Sequence, residues 1–285
     1  MTKTVLILGG SGKIGSHAAK AFSAAGWDVR MYDRKAENMT AAAQGANVIV
    51  NGLNPPGYKD WERTIPAITA QVIDAAKSSG ATVILPGNVY NYGNQPGVLD
   101  ENTAWNAQTR KGRVRIAMEE SYEASGVQTI VLRAGNFIDP AHNGDIMSLL
   151  IMREITKGKV TATADPDTMQ AYAYVPDWAR AAVHLAEERK DLQIFEDIPF
   201  PGHSFTASEL RMQISKHLGK EIKINRFPWW LMTVLSPFWT LAREMREMRY
   251  LSEMPHQISD TKFNRLLPDF RPTDLETVMQ AGLPN

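Results

Sequence analysis

The stretch Val5-Leu6-Ile7-Leu8-Gly9-Gly10-Ser11-Gly12-Lys13-Ile14-Gly15 constrains this chain more than any other. A short, β-prone apolar run leads straight into a glycine-rich turn. Behind it Ile14, Ala18, Ala21, Phe22 and Ala25 recur on one helical face, and Gly26 supplies a stop. The glycines fit G-x-G-x-x-G (Gly10, Gly12, Gly15) and equally G-x-x-G-x-x-G (Gly9, Gly12, Gly15). Between a strand and an amphipathic helix, either spacing points to a dinucleotide site. Glycine permits the tight turn and lets backbone approach a pyrophosphate, which the first amides of the helix, from Lys13 and Ile14 onward, then face. The competing reading is a strand-to-helix turn that binds nothing.

The alternation continues. Val29–Tyr32, Val48–Val50, Thr82–Leu85 and Thr129–Leu132 read as short strands, and Ile65–Ser79 and Val114–Ser125 as helices closed by Gly80 and Gly126. This predicts an α/β fold with a doubly wound parallel sheet, helices covering both faces. After about Gly158, prolines break the pattern into short elements. The expected division is residues 1–160 as the main domain and 161–285 as a smaller mixed lobe, some of whose segments pack back on the sheet.

Composition narrows the function classes. Of 285 residues, 31 are Lys or Arg and 31 Asp or Glu, so no net field draws in nucleic acid. No cysteine is present, which excludes disulfides, thiolate metal sites and thiol nucleophiles and suits a reducing cytoplasm. The six histidines show no metal-ligand spacing, so no metal is expected. G-x-S-x-G and Walker motifs are missing, which removes serine hydrolases and P-loop NTPases. The N-terminus reads as a first buried strand rather than a leader. Phe227–Trp239 is the most apolar segment, but two prolines interrupt it and it falls short of the roughly 20 residues a bilayer span needs. Arg243–Leu251 reads as an amphipathic helix with Met245, Met248 and Leu251 on its apolar side. Both segments are expected to pack on the sheet or line an apolar substrate pocket, in preference to lying on a membrane surface.

At the end of the second strand stands Tyr32-Asp33-Arg34-Lys35. A carboxylate here, on the order of 20 residues beyond the glycines, accepts hydrogen bonds from a ribose diol and repels a 2′-phosphate. Arg34 and Lys35 are placed to pair with such a phosphate instead. NAD is favoured, and NADP stays open.

With these residues placed, the sequence resembles the extended or atypical short-chain dehydrogenases/reductases, of the NAD-dependent epimerase/dehydratase kind. Gly9, Gly12 and Gly15 match the glycine spacing; Ile84–Gly93 resembles the fourth-strand segment ending in Y-G; Leu132–Asn136 with Pro140, Tyr172–Ala179 and Phe205–Leu210 match later segments. The resemblance implies an NAD(P)-binding Rossmann fold, hydride transfer, a small or medium polar substrate such as a sugar nucleotide, and a homodimer through Ile65–Ser79 and Val114–Ser125. The departures fall on the chemistry. Where the family carries Y-x-x-x-K, Lys111 replaces the tyrosine and Arg115 the lysine, and Asn88 stands in place of the active-site serine or threonine. The expected catalytic set is Asn88, Lys111 and Tyr92, with Tyr90 as an alternative proton carrier. The expected cofactor set is Gly9, Gly12, Lys13, Ile14, Gly15, Asp33, Arg34 and Arg115. A non-catalytic NAD(P) sensor that lost the Tyr-Lys pair is the competing class.

Overall fold

The computed structural model describes residues 3–55 and 60–284. Met1, Thr2, Asn285 and part of the loop after the third strand lie outside them. The first half runs β1 (Thr4–Leu8), α1 (Lys13–Ala24), β2 (Asp28–Met31), α2 (Met39–Ala42), β3 (Val48–Asn51), α3 (Trp61–Ser79), β4 (Thr82–Asn88), β5 (Gly97–Leu99), α4 (Arg110–Ser125) and β6 (Thr129–Ala134). The second half continues with β7 (Asn136–Ile138), β8 (Lys159–Ala162), β9 (Gln170–Tyr174), α5 (Val175–Glu187), β10 (Phe195–Pro199), β11 (His203–Phe205) and α6 (Ala207–Leu218). It ends with β12 (Lys223–Arg226), α7 (Trp229–Leu235), α8 (Thr240–Glu247), α9 (Arg249–Glu253), β13 (His256–Ile258), α10 (Thr261–Leu266) and α11 (Leu275–Gln280).

Six strands form one all-parallel sheet in the order β10-β6-β4-β3-β1-β2. Its inner strands are apolar without alternation because both faces are covered. Val5, Ile7, Val48, Val50 and Ile84 pack with Ile14, Phe22 and Trp178 on the α1/α5 side. Leu6, Leu8, Ile49, Val83 and Leu85 pack with Ile65, Val72 and Tyr122 on the α3/α4 side. The chain reverses direction across the sheet between β1 and β3, and ligands of open α/β sheets bind at such a switch point, beyond the carboxyl ends of the strands.

The segments beyond residue 160 divide. β10 completes the large sheet beside β6, and α5 covers it against α1, while small sheets β11-β9-β7, β12-β8 and β13-β5 build the rest. Gly80 and Gly126 close α3 and α4 in the left-handed conformation, at φ 72° and 71°. Two helices start earlier than the pattern predicts: α3 at Trp61, with Pro66 tolerated near its start, and α4 at Arg110, capped by Thr109 Oγ1 accepting from the Gly112 amide. Lys111 thus lies in the first turn of α4.

The predicted helix over Arg243–Leu251 breaks at Met248 into α8 and α9, and its most buried side chain is Glu244 rather than Met245, Met248 or Leu251. Charge pairing with α4 turns Glu244 inward and overrides the apolar periodicity. Among the described residues no helix is long and apolar enough to cross a membrane.

Candidate cofactor and substrate site

β1 delivers its backbone into a turn closed by Gly12 N donating to Gly9 O at 2.9 Å. Three glycines here answer to the protein's own packing. Gly9 has φ +71°, and a Cβ on it would meet Gly52 O at 2.8 Å. A Cβ on Gly15 would lie 2.3 Å from Gly9 O, and one on Gly52 2.9 Å from Leu8 O and 3.1 Å from Gly15 N. The loops after β1 and β3 therefore touch backbone to backbone at the switch point. Gly52 escaped the sequence reading because one glycine after a strand looks like any turn.

Gly12 is different. Its backbone is extended (φ −82°, ψ 167°), open to any residue, and its Cβ would meet only Gly9 O, at 3.3 Å. No side-chain cap and no acidic residue serves the first turn of α1. A side chain at Gly12 would ask only a few tenths of an ångström of Gly9 O, far less than at Gly9 or Gly15, and would fill the space in front of uncapped helix amides, a cradle that suits a pyrophosphate.

The surrounding residues extend the cradle. Lys13 Nζ donates to Gly144 O at 2.7 Å, and Asn143 Nδ2 to Ser11 O at 3.0 Å, so the loop after β7 ties across the glycine turn. Burial pulls the Lys13 ammonium below its usual pKa, opposed by Asp145 and Asp139. Asp139, buried, holds His17 of α1 at 2.8 Å from its Oδ1. That pair, 122 residues apart, has no local signature. Ile14 is buried under the turn. Asp33, exposed two residues beyond β2, accepts from the Lys35 amide at 2.9 Å. Beyond it lies a cleft of about 570 Å³, lined by Tyr32, Arg34, Lys35, Asn38, Gln71 and Asp74.

The expected catalytic residues separate. Asn88, half-buried at the end of β4, accepts from the Tyr90 amide through Oδ1. Arg115 lies over the Trp61 ring at 5.7 Å and donates to Pro86 O at 3.2 Å, at the same strand end. Tyr92 is 1% exposed, and its hydroxyl donates to Asp100 O at 2.9 Å; burial pushes its pKa well above the ordinary phenol range.

Lys111, also 1% exposed, turns away toward the C-terminal lobe: Nζ lies 2.8 Å from Glu244 Oε2 and donates to Glu244 O at 2.7 Å. Arg110 holds the same carboxylate at 2.6 and 2.8 Å, and Glu247 Oε1 accepts from the Lys111 amide. Burial lowers the Lys111 pKa against the upward pull of Glu244 and Glu247. The spacing of four places Lys111 and Arg115 on one helix face, yet only Arg115 stays at the sheet edge.

Beneath this edge runs a buried network that the sequence reading missed. Arg133 reaches Glu119 at 2.5 Å, Asp197 at 2.7 Å and Asn88 O at 2.7 Å. Its guanidinium also lies over the Tyr92 ring at 5.3 Å. It ties α4, β4, β6 and β10 together and fixes the backbone of Asn88. Among the described residues no cluster suits a metal ion.

No protein-family model and no curated protein matches this sequence. Solved structures do match it over its whole length. UDP-glucuronic acid 4-epimerase from Bacillus cereus in complex with NAD superposes with a TM-score of 0.77 at 16% identity, over 98% of this chain and 96% of that one. MoeE5 in complex with UDP-glucose and NAD gives 0.76 at 15%, over 98% and 97%. The enzyme WbmH from Bordetella bronchiseptica in complex with NAD+ gives 0.72 at 17%, over 99% and 97%. The chain has the fold of these NAD-bound proteins. The doubly wound sheet expected from the alternation of strands and helices is that fold.

Proposed function

We propose that the protein is an NAD-dependent enzyme of the short-chain dehydrogenase/reductase type, acting on a sugar nucleotide as an oxidoreductase or epimerase. The observation that carries this is Gly12: the fold has no use for the missing side chain, and a pyrophosphate does. Lys13, Ile14 and Gly15 offer the helix amides, and Asp33 accepts from the ribose diol. Arg115 donates near the nicotinamide end. Asn88 offers an amide to a substrate carbonyl or hydroxyl. The bound cofactor would supply hydride transfer; the chain positions the substrate and moves the proton. Arg34 and Lys35, which line the neighbouring cleft, leave room for NADP. We place the activity in the cytoplasm, on the cysteine-free composition and the cofactor.

Lys111 and Tyr92 we assign to structure, since both polar ends are held inside the protein, and the proton role passes to Tyr90 beside Asn88. The whole-length likeness to proteins bound to NAD and UDP-sugars favours an enzyme over a sensor. Titration with NAD+ and NADH, read by tryptophan quenching, followed by incubation with UDP-glucose and UDP-glucuronic acid, tests the reading. Nicotinamide reduction or a new sugar epimer supports it, and absence of dinucleotide binding overturns it.

A further inference from the structure

The C-terminal lobe carries one surface that neither the sheet nor the cofactor site explains. α7, the turn Ser236–Trp239 and α8 form a hairpin with two unlike faces. Inward point Met232, Ser236, Ala242 and Glu244, all buried. Outward point Trp230, Val234, Phe238, Trp239 and Leu241, with Trp230 70% and Phe238 92% exposed. Trp230 and Val234 lie one helical turn apart on α7, Phe238 and Trp239 follow in the turn, and Leu241 opens α8. A single exposed apolar residue is ordinary; a contiguous patch with two tryptophans and a phenylalanine marks an interaction surface. The sequence reading expected these residues inside. The helices α3 and α4, expected as the dimer face, carry no exposed large apolar side chain among the described residues.

Charge decides the occupant. The acids of α8 turn inward, Glu244 onto Lys111 and Arg110 and Glu247 beside them. Arg243, its side chain 59% exposed, lies 3.9 Å from a Glu244 carboxylate that Arg110 and Lys111 already hold, Arg246 donates to Ser236 Oγ, and Arg249 pairs with Glu253, so Arg243 and Arg246 carry the excess positive charge beside the apolar residues. Aromatic side chains at a polar rim of arginines are what an interfacial helix presents to anionic headgroups. A second copy of the chain fits less well. A two-fold contact would set the patch against itself and bring the arginines of one copy toward those of the other. We infer that the α7–α8 hairpin seats its Trp230/Phe238 face in the interfacial layer of an anionic lipid bilayer, with Arg243 on the headgroups. The protein then works as a peripheral, reversibly bound enzyme.

The test is co-sedimentation with vesicles of phosphatidylcholine alone and of an equal mixture with phosphatidylglycerol, alongside light scattering of the free protein. The wild type should bind the anionic vesicles, with a blue shift of tryptophan emission. Trp230→Asp with Phe238→Asp should weaken binding about tenfold or more, and Arg243→Glu should weaken it on the anionic vesicles. All three side chains are exposed, and unchanged circular dichroism and urea midpoints would show the variants folded. The proposal fails if the wild type ignores both vesicles, or if the variants bind as well as it does. It fails equally if light scattering shows a dimer that the double variant dissolves, which would make the hairpin a subunit contact. None of these readouts depends on turnover or cofactor.

Discussion

Gly12→Val separates what the fold requires from what a ligand requires. The extended backbone at Gly12 accepts valine, and its Cβ would meet only Gly9 O, at 3.3 Å. A small shift of that carbonyl and a poorer helix cap cost about 1 kcal/mol. The valine methyls then fill the space before the α1 amides, and dinucleotide affinity should fall at least about 100-fold, equivalent to about 2.8 kcal/mol. Gly15→Ala makes the contrast. Its Cβ would lie 2.3 Å from Gly9 O and 2.8 Å from the Gly10 Cα, both backbone that cannot rotate away. That variant should lose about 3 kcal/mol of stability together with binding. Urea unfolding and NADH titration by tryptophan quenching read both quantities. A folded Gly12→Val protein that binds NADH within about threefold of the parent would falsify the cradle. A Gly12→Val protein as unstable as Gly15→Ala would show that Gly12 serves packing after all.

Gly52→Ala puts a Cβ 2.9 Å from Leu8 O and 3.1 Å from Gly15 N, so urea unfolding should show a loss of about 2 kcal/mol and titration a weaker NADH affinity; wild-type values for both would refute the loop contact. Lys111→Met leaves Glu244 with two bonds from Arg110, so it should cost about 2 kcal/mol, less than the about 3–5 of a stranded buried charge, and leave turnover per folded molecule intact; a 100-fold drop in turnover would return Lys111 to the chemistry. Asp33→Ala should shift the preference about tenfold toward NADP, and unchanged affinities for both cofactors would make Asp33 a solvated turn residue. His256, 2% exposed, has its pKa pulled below 6.5 by burial, so the folded state binds fewer protons than the unfolded chain. Its contribution to stability is complete above 6.5 and lost as pH falls through the lowered folded value; His256→Gln should flatten that acid slope, and identical slopes would exclude the effect.

What was legible in the sequence is local. The strand-turn-helix signal at Val5–Gly15 and the left-handed glycine stops at Gly80 and Gly126 depend on neighbours within one turn of chain. The segment Phe205–Leu210, matched through the family resemblance, holds a local device of the same kind: Thr206 Oγ1 accepts from the Glu209 amide and Glu209 Oε2 from the Thr206 amide at the start of α6. The parallel sheet followed from the alternation of such units. Pairings across the chain left no pattern: His17 with Asp139, Arg133 between Glu119 and Asp197, Lys111 with Glu244. Each is a polar residue whose partner the fold alone brings near. The exposed patch of α7–α8 failed for the opposite reason. Tryptophan and phenylalanine in an apolar segment look the same whether a protein core or another apolar phase covers them.

The buried lysine at the start of α4 and the two unlike faces of the α7–α8 hairpin share one explanation. A tyrosine at position 111 would have no use for two carboxylates, whereas α8 brings Glu244 to 2.8 Å and Glu247 to 3.7 Å of Lys111 Nζ. A lysine buried there without the acids of α8 would be a charge with no counter-ion, which proteins avoid. Lysine and the acidic inner face of α8 therefore require each other. The same turning-in of acids leaves Arg243 and the aromatic patch on the outside. The same charge pairs close α8 against the start of α4 and leave the outer side of the hairpin apolar. Arg115, a single helical turn further along α4, keeps its place at the sheet edge because its partners, Trp61 and the Pro86 carbonyl, belong to the sheet layer and not to the lobe. The glycine turn and Arg115 thus stay with the sheet and its helices, whereas Lys111 belongs to the contact with the C-terminal lobe.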